Sequence, residues 1–439
     1  MNGVLLVNPL MLAPKEHTSF NALCPPLGLG YLASSLMLKG ADVSILDMNI
    51  SPHPDHELRK ALLAKNLFLV GITSVTQNYD AAIATARMVK AVSKDIYVVM
   101  GGPHVSYEWK AALTEASIDA VVLFEGEQSI VEIYRRLRAG KRDMTGVAGV
   151  AHKAHGEILV NQMQSHETNL DRVPFPARHL LPMHRYGRPG TILTSRGCTA
   201  KCIFCISSTY EGNYRPRSAD NVVEELDILR NTWGIRDIYF LDNVFTVDAE
   251  RVRSICQQII DRRLDIQFHC VSRADLMTVE LIKWLKAAGC QRIEIGVESG
   301  SQKNITAFKK NITLEQVHNA ADIVLGAGLH PMFTFQIGAP SETQETLNET
   351  HRLAVALRKK GAITFFSIMT PYPGTPLVKN AKELGIHIRS QNWGDYRTSN
   401  PIYDTSHLNR NDIRQALYRE IAMGTMLVDQ FADDGLVVA

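Results

Sequence analysis

The chain has 439 residues, 45% of them hydrophobic and 21% charged, with a formal net charge of +2. This composition is enough for a sizeable core and two or three domains, and the near-neutral charge does not favour nucleic acid as a partner. The apolar runs have strand length, so no membrane span is expected. The seven cysteines are too few for a disulfide framework, and the N-terminus does not read as a signal peptide, so we expect a cytoplasmic protein.

The first 140 residues alternate short apolar strands with helical stretches. Strands are predicted at 3–7, 43–47, 68–73, 97–100 and 121–123, and helices at 27–38, 55–65, 78–93 and 108–117. Apolar strands alternating with helices indicate a doubly wound parallel sheet. Ligands of such sheets bind at the carboxyl ends of the strands.

Small and polar residues follow three of these strands. They are Thr73, Ser74, Val75 and Thr76 after the third strand, Gly101, Gly102 and His104 after the fourth, and Glu125, Gly126 and Glu127 after the fifth. Paired glycines let a large ligand approach the backbone, although Gly101 and Gly102 can equally form a tight turn. No G-x-G-x-x-G is present, so a dinucleotide fingerprint is absent.

A connector is predicted next, over 141–187, with a small hairpin at 147–160 and an extended proline-containing linker at 170–178. A second domain is predicted at 188–380. A capping segment follows at 381–439, with a final amphipathic helix at about 410–431.

Three cysteines, Cys198, Cys202 and Cys205, lie within eight residues after an apolar strand at 191–194. Thiolates this close need a soft cation to neutralise them. Structural zinc usually takes four protein ligands, and no fourth Cys or His is near. A [4Fe–4S] cluster held by three cysteines leaves one iron open for a non-protein ligand. The alternative is that the three are ordinary small core residues.

Five further strands are predicted in this domain, at 237–242, 266–271, 292–298, 332–338 and 364–370. With 191–194 they make six βα units, which indicates a partial parallel barrel whose site lies at the carboxyl ends of its strands. Polar residues stand at those ends, among them Asp242, Asn243, Arg273, Glu298 and Gln336.

The C-x3-C-x2-C spacing, with the aromatic Phe204 before the third cysteine, resembles the signature of the radical S-adenosylmethionine (SAM) superfamily. The resemblance implies a [4Fe–4S] cluster on the three cysteines, with SAM chelating the open iron. It also implies SAM contacts at the matching positions. Asp242 or Asn243 would accept from the SAM amine, Arg273 would pair with the carboxylate, and Glu298 would accept from the ribose. The adenine would be walled by Phe204, Ile337 and Met369, next to Gln336. For Arg273 and Glu298 the alternative is an ordinary ion pair.

The N-terminal domain also carries a resemblance. Its Cys24-Pro25-Pro26-Leu27 stretch and Ser74-x-Thr76, followed by Gly101-Gly102, are similar to the cobalamin-binding domain fused to many radical SAM enzymes. The implied cobalamin contacts are Leu27 and the strand-end residues named above, from Thr73 to Glu127. No D-x-H-x-x-G is present, so the resemblance implies that the lower face of cobalt is open or taken by another residue. His104 has either this role or a loop role.

The two resemblances together imply an α/β protein. A Rossmann-like cobalamin-binding sheet (1–140) precedes a partial (β/α)6 radical SAM barrel and a short, mostly helical tail. They imply a C-methyltransferase that moves a methyl group from SAM, through methylcobalamin, to an unactivated carbon of a small molecule or peptide. A 5′-deoxyadenosyl radical would first abstract hydrogen, and a reductant such as flavodoxin or ferredoxin would supply the electron. The alternatives are oxidative cyclisation or rearrangement without methyl transfer, and a non-catalytic cobalamin-binding regulator.

Overall fold

The structure is a computed structural model that describes residues 3–11, 24–63, 67–154 and 156–432. The chain divides into two compact units, Met1–Thr191 and Ile192–Ala439. No helix in the described ranges is long and apolar enough to cross a membrane.

The first unit is a sheet with helices between its strands. The strands are β1 Gly3–Asn8, β2 Asp42–Asp47, β3 Leu67–Thr73, β4 Tyr97–Gly101, β5 Ala120–Val122, β6 Val150–Ala154 and β7 Glu157–Val160. The helices are α1 Leu27–Met37, α2 Pro54–Leu62, α3 Tyr79–Val92, α4 Pro103–Tyr107, α5 Trp109–Thr114 and α6 Glu127–Arg138.

The strand order is β2-β1-β3-β4-β5-β6-β7, and β1 to β5 pair in parallel. This is the doubly wound arrangement expected from the apolar strands, which are buried on both faces. The hairpin predicted in the connector forms β6 and β7, but it extends this sheet by antiparallel pairing with β5. One residue of its predicted turn, His155, lies outside the described residues.

Two helical details differ from the expectation. The helix predicted at 108–117 is the shorter α5, and a further short helix, α4, precedes it. The two helices meet at Glu108, whose φ of −103° and ψ of 27° are non-helical. The helix α6, which the strand and helix assignments left out, follows Gly126 and buries Ile130, Ile133 and Tyr134 against the sheet.

The second unit contains a six-stranded sheet and two small two-stranded ones. The strands are β8 Thr191–Ile192, β9 Ser195–Arg196, β10 Arg215–Pro216, β11 Asp237–Phe240, β12 Gln267–Arg273, β13 Cys290–Glu298, β14 His330–Ile337, β15 Ile363–Ile368, β16 His387–Ile388 and β17 Tyr403–Asp404. The helices are α7 Ser207–Tyr210, α8 Ala219–Asp227, α9 Ala249–Asp261, α10 Val279–Ala287, α11 Gln302–Ala307, α12 Leu314–Gly326, α13 Gln344–Lys359, α14 Pro376–Lys379 and α15 Arg410–Ala432.

The six-stranded sheet has the order β15-β14-β13-β12-β11-β8, and β11 to β15 pair in parallel. Its end strands, β8 and β15, are not neighbours, so the barrel is partial, as expected. Burial alternates along each strand. In β13, for example, Ile293, Ile295 and Val297 are buried in the core, whereas Glu294 and Gly296 on the other face are half-buried. The two faces therefore divide into a helix-covered core and a more polar inner face.

Side-chain caps begin the long helices that return between these strands. Ser218, Asp248, Thr278, Thr313 and Thr343 each accept a hydrogen bond from the backbone N–H at the third helical position. Each helix therefore starts at a defined residue, which fixes the loop that carries the polar residues at the preceding strand end.

Candidate active site

The cysteine loop begins at a turn that only glycine can make. Gly197 has φ of +79°, and a Cβ there would overlap the carbonyl group of Asn213. Its N–H donates to Glu211 Oε2 at 2.9 Å, and the short β9–β10 ladder pairs Arg196 with Arg215. The loop that follows is therefore closed back on residues 211–215 before its first cysteine.

The three cysteines are free thiols; Cys202 is buried, and Cys198 and Cys205 are half-buried. Burial raises the pKa of Cys198, and it raises the pKa of Cys202 to about 11. Cys205 lies close enough to interact electrostatically with both. Buried thiols of this kind ionise only when a cationic group binds them.

Backbone amides already point at two of the sulfur atoms. Ala200 N–H donates to Cys198 Sγ and Ser207 N–H donates to Cys205 Sγ, each at 3.4 Å. Such donors stabilise a thiolate. In the described ranges no three Cys, His, Asp or Glu side chains converge closely enough for a single metal ion. Three free thiols on one loop, two of them with N–H donors, suit the larger span of an iron–sulfur cluster.

Asp242, at the end of β11, holds the start of the cysteine loop. It is buried, and its carboxylate accepts from Thr194 N–H and Oγ at 2.8 and 2.7 Å and from Ser195 N–H and Oγ at 2.5 and 2.8 Å. Burial raises its pKa despite these bonds. The sequence predicts Asp242 as an acceptor for the SAM amine, but both of its carboxylate oxygens already accept hydrogen bonds from Thr194 and Ser195.

The neighbouring Asn243 joins the two sides of the loop. Its Oδ1 accepts from Ser207 Oγ at 2.8 Å, and its Nδ2 donates to Glu211 Oε2 at 2.5 Å. Of the two candidates for the amine of SAM, Asn243 is therefore also tied to the cysteine loop.

Arg273 and Glu298, predicted to bind the carboxylate and the ribose of SAM, are brought together by Lys310. Arg273 donates to both oxygens of Asp275, at 2.9 and 3.0 Å, and to the carbonyl of Lys310 at 2.9 Å. Lys310 Nζ in turn lies 2.5 Å from Glu298 Oε1. These bonds use Nε and Nη2 of Arg273 and one oxygen of Glu298, so Arg273 Nη1 and Glu298 Oε2 remain for a ligand.

Backbone geometry favours this placement. Glu298 has φ of 72°, and Lys309 and Asn311, on either side of Lys310, have φ of 57° and 55°. Left-handed backbone is uncommon outside glycine and costs free energy. At these positions it turns the chain so that Lys310 reaches Glu298. On the inner face of β13, Gly296 leaves the space for the ion pair, because a Cβ there would lie 2.5 Å from Lys310 Nζ.

The predicted adenine wall is only partly at the surface of the site. Phe204 is half-buried and packs edge-on against Phe308, with ring centroids 6.0 Å apart. Ile337 and Met369, in contrast, are core residues, each 1% exposed. Their backbones pair, Met369 N–H donating to Ile337 O at 2.9 Å, so what they present towards a ligand is backbone rather than side chain. Gln336 lies on the half-buried inner face of β14.

The turn after β14 is held by a buried carboxyl. Glu342 Oε2 accepts from Gly338 N–H at 2.6 Å and Ala339 N–H at 3.3 Å, while its Oε1 is buried and has no hydrogen-bond partner among the described residues. Burial raises the pKa of Glu342 to about 7. The hydroxyl of Tyr403, from the tail, lies 2.6 Å from Gly338 O and 2.9 Å from Met369 O, so its single hydrogen is shared between these two acceptors. The tail thus closes the ends of β14 and β15.

An open cavity of about 550 Å³ adjoins the cysteine loop in this unit. Its lining includes Lys201, Arg273, Lys309 and Lys310, with Asp275 as its single acidic residue. A cavity with this surplus of cations suits an anionic ligand.

In the first unit the predicted cobalamin residues lie at one edge of the sheet, since β3, β4 and β5 are neighbours. Ser74 N–H donates to Gly101 O at 2.8 Å, and His104 N–H donates to Ser74 O at 3.2 Å. Gly102 has φ of +104°, and a Cβ there would lie 2.6 Å from Ser74 O. The chain itself requires this glycine, because two strand ends meet there.

The remaining members of this set flank that edge. Thr73 ends β3, Val75 and Thr76 follow Ser74, and Leu27 begins α1. Glu125 and Gly126 precede α6, which starts at Glu127. Small residues at neighbouring strand ends leave room for a large ligand, so this edge fits the predicted cobalamin site.

His104 is a buried, neutral histidine. Its side chain is 1% exposed, its Nδ1 lies 3.2 Å from Thr76 Oγ1, and its ring packs on Tyr79 with centroids 4.5 Å apart. Burial lowers its pKa to about 4. Of the two roles predicted for it, these contacts support the one in the loop.

Sequence reasoning missed Lys310, Glu211 and the loop-anchoring role of Asp242. Lys310 stands twelve residues after Glu298 in no recognisable motif, and only the left-handed turn around it brings it back. Glu342 lies four residues after the strand predicted at 332–338, and its contacts with the turn have no local sequence signature.

Comparison with known proteins identifies two domains in this chain. Residues 192–354 match the Radical SAM superfamily model and residues 18–134 match the B12 binding domain model. An uncharacterized methyltransferase of Pyrococcus horikoshii is 35% identical, covering 90% of this chain and 86% of that protein. An anaerobic magnesium-protoporphyrin IX monomethyl ester cyclase of Rubrivivax gelatinosus is 26% identical, covering 89% of this chain and 71% of the cyclase.

Among solved structures, the radical SAM methyltransferase TsrM of Kitasatospora setae, with cobalamin and a [4Fe–4S] cluster bound, has the same fold. The TM-score is 0.74 at 20% identity, covering 90% of this chain and 81% of TsrM. The identity and coverage of the Pyrococcus relative, with both domain matches, show the family. The chain is a radical SAM enzyme with a cobalamin-binding domain, and its cofactors are a [4Fe–4S] cluster, SAM and cobalamin.

Proposed function

We propose that this enzyme is a C-methyltransferase that moves a methyl group from SAM to an unactivated carbon of a small molecule or peptide. The observation that carries the proposal is the similarity, along nearly the whole chain, to a relative that is named as an uncharacterized methyltransferase. The site in the second unit supports it, because two of the three free thiols, Cys198 and Cys202, lie within electrostatic reach of Arg273 and Lys310.

In this proposal the chain binds and orients its cofactors. Cys198, Cys202 and Cys205 hold the cluster, Arg273 Nη1 pairs with the carboxylate of SAM, and Glu298 Oε2 accepts from its ribose. When bound, the cluster and SAM supply a radical that abstracts hydrogen, and cobalamin carries the methyl group. A reductant such as flavodoxin or ferredoxin provides the electron. No side chain has to act as a general base.

The SAM contacts beyond these two are part of the same proposal. Asn243 accepts from the SAM amine, and Asp242 holds the loop in place behind it. The backbones of Ile337 and Met369, with the ring of Phe204 and the side chain of Gln336, border the adenine. The strand-end residues of the first unit bind cobalamin, with His104 as part of the loop.

A second candidate is oxidative cyclisation or rearrangement without methyl transfer. The similarity to a ring-forming cyclase over most of the chain favours it as the alternative. Both reactions use the same three cofactors, so they differ in what happens to the methyl group of SAM.

The test uses anaerobically reconstituted enzyme with cobalamin, reductant and SAM carrying a deuterated methyl group. S-adenosylhomocysteine and 5′-deoxyadenosine are quantified by mass spectrometry, with and without cobalamin. Methyl transfer predicts S-adenosylhomocysteine that depends on cobalamin. The Cys198→Ala variant should form no 5′-deoxyadenosine.

The opposite results are equally clear. Formation of 5′-deoxyadenosine with no S-adenosylhomocysteine under any condition contradicts methyl transfer and supports cyclisation or rearrangement. Substrate methylation that persists in Cys198→Ala would exclude a role for the cluster in hydrogen abstraction.

A further inference from the structure

The cavity beside the cysteine loop holds two cations that the SAM contacts do not use. Four lining residues are cationic, and two of them already have carboxylate partners: Arg273 is paired with Asp275, and Lys310 with Glu298. The other two are Lys201 and Lys309. Both are exposed, and neither ammonium group makes a hydrogen bond or ion pair within the described part of the chain.

Both lysines are placed by the same elements that form the site. Lys201 lies inside the cysteine motif, directly before Cys202, so its backbone position is tied to that of the cluster ligands. Lys309 precedes Lys310 in the loop whose left-handed residues, at 309 and 311, cost free energy to maintain. All three residues of this loop line the cavity. Ligand binding in the cavity would explain why the chain maintains a strained loop that places three consecutive residues in the cavity lining.

SAM does not account for these two charges. It has one carboxylate, and in the proposed function that group is taken by the open iron and Arg273. Two unpaired ammonium groups at the rim of an open cavity attract an anion and lower the cost of holding it near the cluster. Lysine acts as a compact point charge with three donors, so it binds phosphate and carboxylate oxygens without the planar geometry that arginine prefers.

We propose that Lys201 and Lys309 form an oxyanion subsite for the substrate, so that the substrate carries a phosphate or a carboxylate group. This inference rests on the proposed function, since it assumes that the reacting carbon lies near the cluster. It narrows the substrate class to anionic small molecules or peptides with an acidic group within reach of this rim.

The experiment measures anion binding by the full chain, anaerobically reconstituted and supplied with cobalamin, both without SAM and with saturating SAM. Inorganic phosphate and malonate are titrated separately by calorimetry at low ionic strength. We expect one of them to bind, and the preferred anion identifies the group as phosphate or carboxylate. Binding should weaken with salt, because the sites are exposed.

The variant is Lys201→Gln/Lys309→Gln, and the matched control is Lys283→Gln/Lys303→Gln, which removes two exposed lysines that do not line the cavity. The first pair should weaken binding about tenfold or more, as expected for loss of charge-assisted hydrogen bonds. The control pair should change the dissociation constant of the anion by less than about twofold, since it alters only the net charge of the protein. Equal iron content in all preparations confirms that the variants fold.

Three results would overturn the subsite. They are equal weakening in the control pair, no binding of either anion by the unmodified enzyme, and anion binding that disappears when SAM is added. The last would mean that these lysines serve SAM itself. S-adenosylhomocysteine and 5′-deoxyadenosine are measured in the same preparations. If these products form without anion binding, only the subsite fails; anion binding with no SAM turnover would instead contradict the proposed function.

Discussion

The ion pair between Lys310 and Glu298 buries two opposite charges, each side chain less than a tenth exposed. Removing one partner from such a pair leaves an uncompensated charge in the interior, which costs more than the pair itself contributes. Since Lys310 also accepts from Arg273 through its carbonyl, the pair fixes the spacing of the two residues proposed to bind SAM.

We predict strong coupling between Lys310→Met and Glu298→Gln. Each single variant should lower the free energy of unfolding by about 3–5 kcal/mol. The double variant should cost less than their sum, with a coupling of about 1–3 kcal/mol. Urea unfolding under anaerobic conditions measures all three. The Lys360–Asp322 pair, 36% and 62% exposed, is the control, and its coupling should stay below about 1 kcal/mol. Equal couplings for the two pairs would contradict the assignment.

The carboxylate of Asp242 acts on the cysteines through the backbone that precedes them. We predict that Asp242→Asn reduces cluster loading although all three cysteines remain, because the amide replaces an acceptor oxygen with a donor facing Thr194 and Ser195. Each unsatisfied buried group costs roughly 1–3 kcal/mol, enough to displace the start of the loop. Iron and sulfide per chain after reconstitution should fall by more than about half.

The control for Asp242 is Asp265→Asn, which changes a carboxylate that is 59% exposed. It should leave iron content unchanged. Full iron loading in Asp242→Asn would show that the four hydrogen bonds do not position the loop.

At the scale of elements, the strands of the two large sheets were predicted to within a few residues, because most are short apolar runs bounded by Gly, Pro or polar residues. The two-residue strands β9, β10, β16 and β17 were not predicted. Their parallel order followed from the alternation with helices. The contacts between distant loops did not follow. Asp242 was recognised as a polar strand-end residue, but nothing local indicates that its acceptor oxygens face Thr194 and Ser195, which lie 48 and 47 residues earlier.

The same limit explains Lys310 and the hairpin β6–β7. Lys310 reaches Glu298 only because two non-glycine residues adopt left-handed backbone, which has no sequence signature. The hairpin was recognised from its glycine turn, but its pairing with β5 depends on which sheet edge is open. The placement of Ile337 in the core shows a third case, since period-two burial decides which side chains of β14 face the site.

The turn after β14 gives a pH-dependent prediction. The pKa of Glu342 is about 7, above the ordinary 4.5, because of burial. A raised acid pKa means that the folded state binds the proton more tightly than the unfolded state. Protonation of Glu342 therefore stabilises the folded state fully below pH 4.5, and this stabilisation is lost as the pH rises to about 7. Relative to Glu342→Gln, the unmodified chain should therefore lose roughly 1–3 kcal/mol across this window.

Urea unfolding of both chains at several pH values between 5 and 8 tests this expectation. Glu345→Gln, an exposed change three residues away, is the control and should run parallel to the unmodified chain at every pH. A constant difference between Glu342→Gln and the unmodified chain would mean that Glu342 is ionised in the folded state throughout.

At the scale of the whole molecule, each unit has a hydrophobic core of its own. One core joins strands and helices between Val4 and Ala177, and the other joins those between Ile192 and Leu417. The proposed cofactor residues divide in the same way, with cobalamin contacts in the first unit and the cluster and SAM contacts in the second. Damage to one site is therefore expected to leave the other cofactor bound.

Gly102→Ala and Cys202→Ala should separate the two cofactors. An alanine Cβ at position 102 would lie 2.6 Å from Ser74 O, at a φ that costs a non-glycine residue about 1–2 kcal/mol. The ends of β3 and β4 must then move apart, so cobalamin retention should fall while iron is kept. Cys202→Ala should lose iron and keep cobalamin. Gly140→Ala, with φ of +74° and open space around its Cβ, controls for backbone strain. Absorbance and iron assays after gel filtration measure both, and loss of both cofactors in either variant would contradict independent sites.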